Sequence, residues 1–154
     1  MFIGIFFDNF VTGTLPIKEQ QGGLHVTLAY NPSPEQLSAL MPFLGKTVEV
    51  KIVGYANNNQ NEGLQVDFVG IPYFGAEKKH ITISRVKTAK PVDTGKLDFS
   101  KEALTDIRKN KNIPDIISGE IRIYGNWHSP CLKPGDSWVL RQRTFLPLNG
   151  QVSS

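Results

Sequence analysis

The chain has 154 residues, 40% of them hydrophobic and 20% charged, which suffices for one real core and excludes a disordered chain. A net charge of +3 and a pI near 9.0 lean towards an anionic ligand, but the surplus is too small to mark a bulk nucleic-acid binder. The single cysteine, Cys131, excludes an intrachain disulfide, and no apolar run reaches the length of a bilayer span.

Residues 2–7 are short, aromatic and β-branched and are closed by Asp8-Asn9, which predicts a buried strand. The stretch lacks the basic residues of a signal peptide, so one cytoplasmic domain over 1–154 is expected. Residues 8–23 carry Gly13, Pro16, Gly22 and Gly23 and read as a loop, either a plain connection or a cover over a site. A strand over 24–30 follows. Ser33-Pro34-Glu35-Gln36 then has the form of a capping box with proline at the first helical position. Leu37, Leu40, Met41 and Leu44 extend it as an apolar helical stripe, limited by Pro42 and Gly45.

Alternation of Val48, Val50 and Ile52 with Glu49 and Lys51 predicts a strand over 47–53, and 64–68 alternates again. The polar run Asn57–Gly63 between them reads as a hairpin turn. A Pro/Gly-bounded loop, 71–75, leads to a strand over 80–86. A second helix is expected from Ser100, with Phe99 and Leu104 at hydrophobic-staple positions and Pro114 as its stop. Arg108, Lys109 and Lys111 complement that helix's dipole. Strands over 119–126 and 137–145, joined by a turn with Pro130, Pro134 and Gly135, complete an α+β order.

Two of these strands answer each other. Leu24-His25-Val26-Thr27-Leu28-Ala29-Tyr30 and Lys79-His80-Ile81-Thr82-Ile83-Ser84-Arg85 both read His-apolar-Thr-apolar, 55 residues apart. Side chains alternate along a strand, so His25 and Thr27 share one face and Val26 and Leu28 the other; His80 and Thr82 stand likewise against Ile81 and Ile83. Finding two such patterns by accident among 3 histidines has a probability on the order of 3 in 10,000. Paired imidazoles suit phosphodiester cleavage without a metal. One neutral ring takes a proton from water, the other, protonated, gives one to the leaving oxygen, and the threonine hydroxyls donate to phosphoryl oxygens.

The paired motifs resemble those of the 2H phosphoesterase family, with Leu24 and Arg85 as flanking matches and Met1–Phe7 as the opening strand. The resemblance implies a bilobal α+β fold, two antiparallel sheets lining a central groove with helices outside. It implies His25 and His80 as the acid/base pair, Thr27 and Thr82 as phosphate ligands, and no metal or other cofactor. Which histidine is acid and which is base stays open. The implied substrates are 2′,3′-cyclic phosphates, 2′-5′ linkages, cyclic oligonucleotide messengers or RNA ends, handled by a monomer away from membranes. Some viral members of that family destroy nucleotide second messengers, which adds immune evasion to the expected roles.

Arg85 and Tyr30 are further substrate-binding candidates, although in a regular strand each points away from its histidine. Phe10, Tyr73, Phe74 and Trp127 lie in or beside predicted loops and are candidate stacking faces for a base. Two rival sites are weaker. A metal set from His25, His80, His128 and Cys131 lacks local ligand spacing and leaves both threonines unexplained. A nucleophilic Cys131 has only His128 in support. The reading from another class is a 2H-like module that binds RNA ends or a nucleotide without turnover.

Overall fold

Alternating apolar residues build the sheet. Ile3 and Ile5, Val26 and Leu28, Val50 and Ile52, Leu64 and Val66, Ile81 and Ile83, Ile121 and Ile123 are all buried, two from each of six strands, and all join one core. The computed structural model describes residues 1–7, 19–20 and 24–124. Its strands are β1 (Phe2–Phe6), β2 (Glu19–Gln20), β3 (His25–Tyr30), β4 (Thr47–Asn57), β5 (Asn61–Asp67), β6 (His80–Arg85) and β7 (Ile116–Tyr124). They form one antiparallel sheet in the order β2-β6-β5-β4-β7-β1-β3, so the hydrogen bonding runs through all seven.

The long strand β4 joins the two ends. It pairs with β7 through Thr47–Lys51 and with β5 through Lys51–Asn57. The sheet then curls until it nearly closes: the two motif strands, β3 and β6, come within 8 Å of each other. Ahead of β6, the Phe74 amide donates to the Leu28 carbonyl at 2.9 Å, tying the chain to β3.

Both expected helices form where their caps lie. In α1 (Pro34–Leu40) the Ser33 side chain accepts from the Gln36 amide and the Gln36 side chain accepts from the Ser33 amide. A 3₁₀ turn, Met41–Phe43, follows it. In α2 (Lys101–Arg108) Ser100 caps the Ala103 amide at 2.9 Å, and Arg108 closes the far end on the Ile113 and Pro114 carbonyls. Leu37, Leu40, Leu44 and Leu104 bury in the same core as the strands. No helix among the described residues is long and apolar enough to cross a membrane.

Three local expectations change. The hairpin turn is shorter than 57–63, because Asn61, Glu62 and Gly63 belong to β5 and are buried. The turn itself is Asn58–Gln60, held by the Asn57 and Asn58 side-chain oxygens, with Asn59 left-handed at φ 72°. Within the expected loop 8–23, Glu19–Gln20 pairs with Arg85 and Ser84 of β6. A 3₁₀ helix, Pro91–Lys96, lies against β5 and β6 where no element was expected. The remainder of 8–23, Phe10, residues 125–126, Trp127, His128, Cys131 and the strand expected at 137–145 lie outside the described residues.

Candidate active site

The core takes one face of the motif strands, so His25, Thr27, His80 and Thr82 share the opposite one. The same irregularity follows both motifs. On β3, Ile3 pairs with Ala29 and Gly4 with Thr27, so Leu28 is an extra residue, a β-bulge. On β6, Glu62 pairs with Ser84 and Gly63 with Thr82, so Ile83 is the extra residue. Each bulge lies three residues after its histidine. It reverses the alternation beyond it: Ala29 and Ser84 turn into the protein, and Tyr30 and Arg85 come round to the histidine face. The expectation that a regular strand points these two away is thereby corrected. The strands are not regular, and the bulge supplies the missing half-period.

Around His25 the outer face is aromatic. Its ring stacks on Phe2 at 4.8 Å and on Phe6 at 5.2 Å between centroids. Tyr124 of β7 stands 5.5 Å from Phe2 and 6.1 Å from Phe6, and the Arg122 guanidinium lies 5.5 Å over the Phe6 ring. Register explains the grouping, since Phe6 pairs with His25 across one side of β1 and Phe2 with Tyr124 across the other. Arg122 is also held by Glu120 at 2.7 Å. Tyr30, paired with Phe2, is 72% exposed.

His80 is oriented differently. Its Nδ1 lies 2.7 Å from the Lys78 carbonyl. A carbonyl only accepts, so Nδ1 carries a proton in this contact and Nε2 is the ring nitrogen left to gain or lose one. Gly95 of the 3₁₀ helix presses on this ring: a methyl carbon there would stand 2.7 Å from Cε1 and 2.8 Å from Nδ1. The neighbouring Thr94 presses on Thr82, with the two hydroxyl oxygens 3.0 Å apart. Asn61 Nδ2 donates to Thr94 Oγ1 at 3.0 Å and to the Lys90 carbonyl at 2.9 Å. The Arg85 guanidinium donates to the Ala89 carbonyl at 3.1 Å and so braces the same 86–90 turn.

Beneath, on the core side of the second bulge, Glu62 is fully buried. It accepts from the Tyr55 hydroxyl at 2.5 Å and from Ser84 Oγ at 2.6 Å. Burial, reinforced by the Glu62 carboxylate, pushes the Tyr55 hydroxyl far above the ordinary tyrosine range.

Of the loop aromatics, Tyr73 is half-buried, edge-on to Phe68 at 6.3 Å, and donates to the Glu77 carbonyl at 2.8 Å. Burial and then Glu77 raise its pKa. Phe74 is exposed. No group of three or more metal-ligating side chains occurs among the described residues. Phe2, Phe6, Arg122 and Tyr124 were not singled out from sequence. Their signal was alternation with Ile3, Ile5, Ile121 and Ile123, masked in β1 by the unbroken apolar run. Asn61 and Thr94 carry no local signal at all.

Compared with known proteins, the chain matches no family model and no curated relative.

Proposed function

We propose that the chain is a metal-independent phosphodiesterase of the 2H type, acting on a nucleotide or an RNA end. The observation that carries the reading is the repeated bulge. Two strands far apart in the sheet order share His-x-Thr, then an extra apolar residue, then beyond it a polar side chain returned to the histidine face. Packing of a core accounts for the apolar positions. It does not account for matched polar positions on the other face of both strands. We read the two ends of the sheet, meeting at β3 and β6, as the two lobes of a 2H fold and the seam between them as the groove.

In this reading His25 and His80 are the acid/base pair. One neutral ring takes a proton from the attacking water as the oxygen–phosphorus bond forms. The other gives its proton to the departing ribose oxygen as that bond breaks. For His80 the transferring nitrogen is Nε2, since Nδ1 is committed to the Lys78 carbonyl. Thr27 and Thr82 donate to the phosphoryl oxygens, and Arg85 and Tyr30 reach the same ligand from beyond the bulges. The ring faces of Phe2, Phe6 and Tyr124 beside His25 favour a substrate carrying a nucleobase.

The test is a cleavage panel in EDTA: 2′,3′-cyclic mononucleotides, 2′-5′ oligoadenylate, cyclic di- and trinucleotides, and RNA with a cyclic phosphate end. Wild type runs beside His25→Ala and His80→Ala. Turnover of one substrate, unaffected by EDTA and reduced by 10²-fold or more in both variants, is expected, on the order of general acid–base losses. Well-folded wild type that binds a panel ligand and cleaves none of them is instead the binding module.

A further inference from the structure

We propose that Glu120 selects the base: its carboxylate, held by Arg122 at the far edge of the ring cluster, accepts the N1 and N2 protons of guanine, so the site prefers guanine nucleotides. The inference rests on the reading of the histidine face as a nucleotide site and adds which nucleobase it takes. Register lays out that face. His25, Phe6 and Glu120 form one cross-strand row over β3, β1 and β7, and Thr27, Gly4 and Arg122 form the next. Both motif threonines stand opposite a glycine, Thr27 opposite Gly4 and Thr82 opposite Gly63. The two glycines are covered differently. Above Gly63 stands Thr94, whose Cγ2 is 2.3 Å from where a methyl carbon would lie. Above Gly4 lies the Phe2 ring, 3.4 Å from the corresponding point. The 3₁₀ helix thus fills the face beside Thr82, while beside Thr27 the face carries rings on which a base can stack.

With the phosphate between the two motifs, a base stacked on these rings turns its sugar towards β3 and its outer edge towards β7. From β3 to β7 is two strand spacings, roughly 10 Å, a span that a nucleotide covers from phosphate to Watson–Crick edge. At that edge Glu120 Oε1 accepts from Arg122 Nε at 2.7 Å, and Oε2 has no hydrogen bond or ion pair among the described residues. The Glu120 side chain is 34% exposed and that of Arg122 12%, so the acceptor is open to a ligand while its anchor is packed. A carboxylate only accepts. Guanine alone offers it two neighbouring N–H donors on the Watson–Crick edge. Adenine and cytosine set an acceptor nitrogen beside a single amino group, and uracil sets its one N–H between two carbonyls. Each of these loses a charge-assisted bond and turns an acceptor towards the anion.

The test is calorimetric binding of the 3′-monophosphates of guanosine, inosine, adenosine, cytidine and uridine to wild type and to Glu120→Gln. Inosine keeps the N1 proton and lacks the N2 amino group. In wild type, guanosine monophosphate should bind about tenfold or more tighter than adenosine monophosphate, with inosine between them, since a matched bidentate contact discriminates on that order. Glu120→Gln should erase most of this difference by weakening guanosine and inosine, and should hold ribose 5-phosphate as wild type does. Should Glu120→Gln not fold, as judged by near-ultraviolet circular dichroism, Glu120→Asp takes its place, since it withdraws the carboxylate by one methylene. Equal affinities for the five, preference for another base, binding of none, or a guanosine preference that survives the substitution overturns the assignment. Turnover separates this inference from the reading beneath it. Equal kcat/KM for guanosine and adenosine 2′,3′-cyclic phosphates overturns the guanine preference and leaves the phosphodiesterase standing. Guanosine-selective binding, lost in Glu120→Gln, with no turnover of any panel substrate upholds the base assignment and refutes the phosphodiesterase.

Discussion

Replacing Gly63 with alanine puts a methyl carbon where two neighbours already stand. The added Cβ would lie 2.3 Å from Thr94 Cγ2 and 2.8 Å from the Ile81 carbonyl oxygen. Carbon atoms rest at about 3.5–4.0 Å, so Thr94 must retreat by more than about 1 Å. The Ile81 carbonyl belongs to the β5–β6 ladder and gives way less readily. Overpacking of this kind costs typically about 1–3 kcal/mol. Alanine recovers about 0.5–1 kcal/mol of that, through lower entropy of the unfolded chain and better strand propensity. The expected net loss is about 0–2.5 kcal/mol, or up to roughly 10 °C in Tm for a chain of this length. A second consequence follows from the same displacement. The 3.0 Å contact between Thr94 and Thr82 opens beyond hydrogen-bonding range, so under the proposed function cleavage should fall with stability. Urea unfolding and a melting curve read the first effect, and single-substrate kinetics well below Tm the second. A raised Tm with unchanged kcat would refute the close packing of the 3₁₀ helix on β5.

Tyr55 supplies a pH signature. Its pKa is raised on folding, first by burial and then by Glu62, so its contribution to stability is complete below the ordinary tyrosine value near 10 and is lost as pH rises through the folded value. Urea midpoints at pH 7, 9 and 11 should decline at the last step. Tyr55→Phe should start about 1–3 kcal/mol less stable, because Glu62 loses a donor, and should lack this part of the alkaline decline. Equal alkaline slopes in the two proteins would contradict it. Phe6→Ala removes a ring stacked on His25 and should weaken binding of adenosine monophosphates by about 1–3 kcal/mol, while ribose 5-phosphate is held as before. Equal weakening for both ligands would mean that Phe6 merely supports His25.

The helices were legible because their signals are short-range. Ser33 with Gln36, and Ser100 with the amide three residues on, are contacts within one turn, and their residue types announce them. The strand cores were legible for the same reason, as side chains two apart share a face. Asn61 and Glu62 were misread as turn residues because polarity in a local window normally means solvent. Here the partners are Thr94, Lys90, Tyr55 and Ser84, three of them more than 20 residues away, and nothing in the window reports them. Phe2 and Phe6 were misread in the opposite sense: an apolar run looks buried on both faces until the neighbours on one face prove to be a histidine and a tyrosine.

Sequence by itself determined the α+β class, both helix starts, and the pairing of His25 with Thr27 and of His80 with Thr82 on single strand faces. Each follows from the period of a strand or the geometry of one helical turn, which any segment carries with it. Only the tertiary structure decided that Leu28 and Ile83 bulge, that Tyr30 and Arg85 therefore join the histidines, and that Thr94 and Gly95 press on the second motif. A bulge is a mismatch of register between two strands. Neither strand contains it alone, and it exists only once Ala29 has met Ile3 and Ser84 has met Glu62.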